Sequence, residues 1–149
     1  IQAQILELLA DLRRRLGLAV LLVTHDLGVV AEVCDTVAVM YGGVLAEYAD
    51  VDTIYNAPRH PYTQELLKAF PDLSRTGERL TAIPGAPPRL EALPAGCRFA
   101  PRCPLVLGAK GEQGAAFERC HREPPALRTL AGRHRAACHL LEAEGRPAP

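Results

Sequence analysis

No stretch of this chain is apolar for long enough to cross a bilayer. The longest run, Leu16 to Val23, covers eight residues, against the ~20 that a spanning helix needs. Net charge is also missing, because 17 Lys and Arg balance 17 Asp and Glu. Aromatic residues are scarce at 5%. In the arginine-bearing C-terminal part only Phe99 and Phe117 are present, which argues against a nucleic-acid surface built on base stacking. No two cysteines have the close C-x-x-C pairing that zinc sites commonly use. No secretory signal is visible. The chain opens without Met inside an amphipathic pattern, which reads as a piece of a longer protein. Five cysteines is an odd count, so reduced thiols or metal ligands are expected rather than a disulfide framework.

What is present is globular in composition: 48% hydrophobic and 23% charged over 149 residues. The zero net charge hides an asymmetry. Residues 1–96 carry 8 basic and 12 acidic side chains, a balance of −4, and residues 97–149 carry 9 and 5, a balance of +4. The sign changes where the main group of cysteines begins, which suggests a compositional boundary there.

Ile1, Ile5, Leu8, Leu9, Leu12 and Leu16 fall on one helical face. Arg13, Arg14 and Arg15 suit the negative end of its dipole, and Gly17 suits the C′ position. Leu18–Thr24 reads as a buried strand of a parallel sheet, ending at His25. A His at that edge sits where open α/β sheets place ligands. Asp26 suits the N-cap of a helix running to about Cys34, where the thiol reads as a small core residue. Residues 36–40 form an expected strand, Gly42-Gly43 a two-residue hairpin turn, and residues 44–48 the returning antiparallel strand. Too few strands are present for a parallel sheet, so the α/β part should bury its core poorly alone. A short helix is expected from Asp50 to Asn56, ended by Pro58, and another capped by Thr63 and running through Ala69, with Phe70 on its apolar side. Residues 71–94, with Pro84, Pro87, Pro88 and Pro94 among Gly77 and Gly85, read as irregular.

Leu-Leu-Val-Thr-His-Asp-Leu around His25, followed by Val-Ala-Val-Met-Tyr-Gly-Gly-Val-Leu-Ala-Glu, closely resembles the switch-histidine segment of ATP-binding cassette ATPases. Ile1–Ile5 resembles the helix after that family's D-loop. The resemblance implies that His25 contacts the γ-phosphate of ATP, bound with Mg2+, as the one catalytic residue carried over. The Gly-rich phosphate loop, Q-loop, signature motif and Walker B pair are absent from this sequence, so residues 1–149 alone are expected to be inactive. Asn56–Thr63, with its His60-Pro61-Tyr62, resembles the start of the C-terminal region of oligopeptide and dipeptide importer ATPases. So do Leu80–Gly85 and Gly96–Pro104. The implied fold is the C-terminal part of an ABC-type ATPase domain at residues 1–50, followed by that loop-rich region at 51–149.

Cys97 and Cys103 are five residues apart, Cys120 follows after sixteen more, and Cys138 after another seventeen. A Pro/Gly-rich segment with few apolar residues is hard to fold by burial alone, and a metal would organise it. Spacing alone does not pick the metal: zinc sites usually bring ligands in close pairs, and iron–sulfur clusters accept wider and less regular spacing. The resemblance implies a [4Fe–4S] cluster on these four cysteines, with zinc as the alternative and unliganded thiols ranked below both. His121 and His139 each neighbour a cysteine and could replace a ligand. Arg98, Arg102, Arg119 and Arg122 are expected near the negative cluster. The implied partners are a second ATP-binding subunit, transmembrane permease subunits and, indirectly, an extracytoplasmic substrate-binding protein. The implied location is peripheral, on the cytoplasmic face of the cell membrane. The competing reading is a stand-alone metal- or cluster-binding interaction module without ATPase activity.

Overall fold

The computed structural model describes residues 2–69, 82–108 and 115–141. The chain divides into two units, residues 1–35 and 36–149.

The first unit holds helix α1 (Gln2–Leu16) and helix α2 (Leu27–Val33). Gly17 ends α1 at φ +63, and the Leu18 amide donates to the Arg13 carbonyl at 3.2 Å. This is the six-to-one bond of a Schellman cap, which needs the left-handed conformation glycine tolerates. Asp26 caps α2 as expected, its carboxylate accepting the Val29 amide at 3.1 Å. The strand expected at Leu18–Thr24 does not form. Leu21 is 91% exposed and Val23 90%, and no described strand pairs with this run. A lone strand has no ladder in which to place its amides and carbonyls, so it stays solvated. No described residue of this unit is buried, and Cys34, placed in the core by the sequence, is a half-buried residue at the α2 C-cap.

The second unit is a small mixed α/β structure built on a four-stranded antiparallel sheet. Strands β1 (Thr36–Tyr41) and β2 (Val44–Asp50) form the expected hairpin. Its turn residues Gly42 and Gly43 both have positive φ, +57 and +87, which matches the right-handed strand twist. Helix α3 (Val51–Asn56) and helix α4 (Pro61–Lys68) follow, then a short helix α5 (Pro104–Gly108), helix α6 (Ala115–Arg122), and strands β3 (Arg128–Ala131) and β4 (His134–Ala136). The sheet order is β1-β2-β4-β3, so strands from the cysteine-bearing half complete the sheet begun by the hairpin. The described part of the region read as a loose segment therefore folds, and its cysteines supply part of its core. Cys103 packs with Tyr41, Ala46 and Phe99, and Cys120 with Ala100 and Leu140. Small polarizable thiols fill these gaps as apolar groups.

Two boundaries differ from the sequence reading. Helix α4 begins at Pro61 with His60 as N-cap, and Thr63 lies inside the helix with its hydroxyl unpartnered. Proline at the first helical position, with φ preset and no amide to satisfy, moves the cap back by three residues, from Thr63 to His60. The residues 82–94 read as irregular contain one 3-10 turn at Leu90–Ala92. Ile1, Phe70 and residues 71–81 lie outside the described residues.

Tyr41, Tyr62 and Phe99 join the hairpin, α4 and the first cysteine loop in one aromatic cluster. Their ring centroids are 4.6, 5.2 and 5.3 Å apart. Such pairs add about 0.5–1.5 kcal/mol each beyond area burial.

Candidate functional site: a four-thiol cavity

Each of the four cysteines enters one cavity from a different local structure. Cys97 and Cys103 bracket a loop with a 3-10 turn at Ala100–Arg102, Cys120 sits on α6, and Cys138 follows β4. Phe99, Ala100, Val106 and Leu140 supply apolar wall, and His60 and His139 also border the space. Its volume is about 10 Å³, room for one water-sized sphere.

Local geometry explains the convergence. The Cys97 amide donates to the Cys120 carbonyl at 2.9 Å. Gly96 makes that approach possible, since a Cβ there would lie 2.4 Å from the Cys120 carbonyl oxygen and 2.6 Å from the His121 carbonyl carbon. The Cys103 amide closes the 3-10 turn onto Ala100 at 3.2 Å. The Ala137 amide donates to the Ala46 carbonyl at 2.8 Å, which fixes the strand end just before Cys138. Arg98 donates to the Gly42 carbonyl, and Arg102 to the Pro84 and Ile83 carbonyls at 2.7 and 2.9 Å and to the Tyr41 hydroxyl at 3.2 Å. These two arginines, expected to face the ligands as counter-charges, instead tie the loop to the hairpin and to residues 83–84. Arg119 pairs with Glu123 and Arg122 with Glu118. His139 reaches the cavity wall, with Nε2 2.8 Å from the Glu123 carbonyl oxygen, whereas His121 is exposed.

Backbone amides are directed at the sulfurs: those of Phe99 and Ala100 at Cys97, of Leu105 and Val106 at Cys103, and of Leu140 at Cys138. Burial outweighs them. It pushes the Cys138 thiol up to about 12 and the Cys120 thiol up to about 11, with the neighbouring thiols adding to both. Cys97 and Cys103 are raised for the same first reason. Uncharged sulfurs are poor nucleophiles, and a metal bound here would have to displace their protons.

The residue types lining the space are of the kind that ligate metals. They offer four thiols, amide donors to sulfur and an apolar wall. Among the described residues no three His, Cys, Asp or Glu side chains are placed to hold a single ion. A lone zinc needs every sulfur about 2.3 Å from one point, whereas a cluster takes ligands spread around a larger body. The space of about 10 Å³ means that the arms must open outward to admit one.

His25 is exposed and belongs to the first unit, in a turn where the Asp26 amide donates to the Thr24 hydroxyl at 3.0 Å. One further residue escaped the sequence reading: Glu47, in the middle of β2, is fully buried. His60, marked in the sequence only as part of the His-Pro-Tyr motif, is buried beside it. Glu47 looks like an outward-facing strand residue by its neighbours, so no sequence signal marked it.

His60 Nδ1 accepts the Tyr62 amide at 3.0 Å. Burial lowers its pKa from 6.5 to about 4, against an opposing pull from Glu47. The unfolded chain therefore takes up a proton near pH 6.5 that the folded chain refuses until near pH 4. His60 imposes no loss above pH 6.5, and the penalty grows as pH falls. Between pH 7 and 4.5 it should remove on the order of 2 kcal/mol of stability. Urea unfolding at the two pH values, on the wild type and on His60→Asn, should show a shallower fall in the variant; equal falls would assign the loss to other groups.

Residues 46–109 match the family described as the oligopeptide/dipeptide transporter C-terminal region. The whole chain is similar to a dipeptide transport ATP-binding protein of Escherichia coli (strain K12), 44% identical over 148 residues, covering 99% of this chain and 42% of the relative. An oligopeptide transport ATP-binding protein of Bacillus subtilis (strain 168) is 43% identical, with coverages of 97% and 41%. A probable peptide ABC transporter ATP-binding protein of Sinorhizobium fredii is 45% identical, with coverages of 93% and 38%. The chain thus spans about two fifths of the length of these curated relatives. Over nearly its whole length the chain is similar to oligopeptide and dipeptide transport ATP-binding proteins, and residues 46–109 match the C-terminal region of such transporters.

Proposed function

We propose that the full-length protein is the ATP-binding, ATP-hydrolysing subunit of an ABC importer for oligopeptides, dipeptides or related solutes. The observation that carries this reading is the 44% identity across 99% of the chain to a dipeptide transport ATP-binding protein. Residues 1–50 would complete the ATPase domain and residues 51–149 form the C-terminal region. Paired with a second ATP-binding subunit on the cytoplasmic face of permease subunits, the protein would couple ATP hydrolysis to uptake of solute passed on by an extracytoplasmic binding protein. No described helix is long and apolar enough to cross a membrane, which agrees with a peripheral role.

His25 is the γ-phosphate sensor in this reading. Its imidazole is exposed at the end of the extended run, free to donate to a phosphate oxygen or hold a water for attack on ATP bound with Mg2+. Cys97, Cys103, Cys120 and Cys138 would hold a [4Fe–4S] cluster. Such a group supplies a cross-link among four chain segments and a one-electron centre. Zinc suits the site less, for want of donors around one point. The reading as a stand-alone metal module draws no support from these relatives, all of them named as ATP-binding proteins. ATP hydrolysis by the full-length protein and its His25→Ala variant tests the enzymatic part.

A further inference from the structure

A carboxylate with no exposed surface is among the most expensive groups to place inside a protein, and it needs a full set of partners. Glu47 has that set, and all of it comes from chain segments that border the four-thiol cavity. Oε1 accepts the Arg59 amide at 2.6 Å and lies 2.6 Å from His134 Nε2, while Oε2 accepts the His60 amide at 3.1 Å. One side chain on β2 therefore holds the start of α4 and the first residue of β4. The chain of contacts continues into the cavity. His134 opens β4, the Ala137 amide just after that strand donates to the Ala46 carbonyl beside Glu47, and Cys138 is the next residue. His60 itself forms part of the cavity wall.

We propose that Glu47 is the positioning residue of the four-thiol cavity: its carboxylate locks the Arg59–His60 turn and His134 together and, through His134 on β4, sets where Cys138 enters. This rests on the reading of the cavity as a metal site only for its purpose, and not for its geometry. Cys97 and Cys120 are tied to each other by their own backbone bond, so they do not depend on Glu47. An apolar residue at position 47 would fill the space but leave the Arg59 and His60 amides without acceptors. Glutamine keeps the shape and loses one acceptor, because its amide nitrogen can only donate.

The test is site-resolved alkylation of the full-length, metal-free, reduced protein with N-ethylmaleimide, read by mass spectrometry. In Glu47→Gln the Cys138 rate should rise about 10-fold or more, the effect expected of losing a hydrogen bond to a charged group. Cys97 and Cys120 should stay within about twofold of wild type. His134→Ala is the second variant: it removes the side chain that reaches Glu47 Oε1 and leaves the Arg59 and His60 amides their acceptor. It should reproduce the selective rise at Cys138, and it decides the matter if Glu47→Gln does not fold. Unchanged rates at Cys138, or a parallel rise at all four cysteines, would overturn the proposal, the latter showing general loosening. Because the measurement needs no metal, a wild-type protein that binds no iron would sink the cluster reading and leave this result standing.

Discussion

His25→Ala in the full-length protein is expected to lower ATP hydrolysis by on the order of 100-fold or more, the cost of removing one preorganised donor from a charged transition state. ATP affinity should change by no more than about threefold, because most binding energy would come from the phosphate loop and metal. The separation of the two effects follows from where the residue stands. Its side chain is exposed, and the turn around it is held by the Thr24 hydroxyl and by Asp26 on the Val29 amide. Removing the imidazole leaves that turn intact and opens no cavity, so stability should move by less than about 0.5 kcal/mol. Phosphate release by the purified variant, with equilibrium nucleotide binding alongside, measures both. Turnover within a few-fold of wild type would make His25 a surface residue and nothing more.

Gly96→Ala carries the largest expected structural effect. The new Cβ would meet the Cys120 oxygen at 2.4 Å, the His121 carbonyl carbon at 2.6 Å and the Arg122 nitrogen at 2.9 Å. All three are backbone atoms of α6, so no side-chain rotation relieves the clash, and the Cys97 loop must move away from the helix. Overpacking of this kind costs about 1–3 kcal/mol and the lost Cys97–Cys120 bond about 1 more. Unfolding in urea should show a loss of about 3 kcal/mol. Gly108→Ala is the control: nothing lies within 4 Å of the added atom, and the change should be within about 0.5 kcal/mol. Equal behaviour of the two variants would refute the close packing of the cysteine loop on α6.

Local signals in the sequence were faithful where local physics decides. The α1 stripe, the Gly17 cap, the Asp26 cap and the Gly42-Gly43 turn all depend on a few consecutive residues, and each forms as read. Leu18–Thr24 shows the limit of that reasoning. Its composition is that of a buried strand, but a strand exists only when another pairs with it. The α4 start was misplaced because Thr63 is a good cap by type, while Pro61 at the first helical position decides the register. Convergence of the four thiols was inferred from residue type and family resemblance. What brings them together was not legible: a glycine that admits a close backbone approach, arginines that grip carbonyls rather than face the thiols, and a buried glutamate linking segments 12 to 87 residues apart. Contacts at such separations leave no period or motif in the sequence.

The most direct test of the four-thiol account is the iron and acid-labile sulfide content of the full-length protein purified without oxygen. The account predicts a brown protein with about four irons and about four sulfides per chain, lost in Cys138→Ser, as a cluster on four thiolates requires. Stoichiometric zinc with no iron or sulfide, or a Cys138→Ser variant that keeps its full iron, would contradict it.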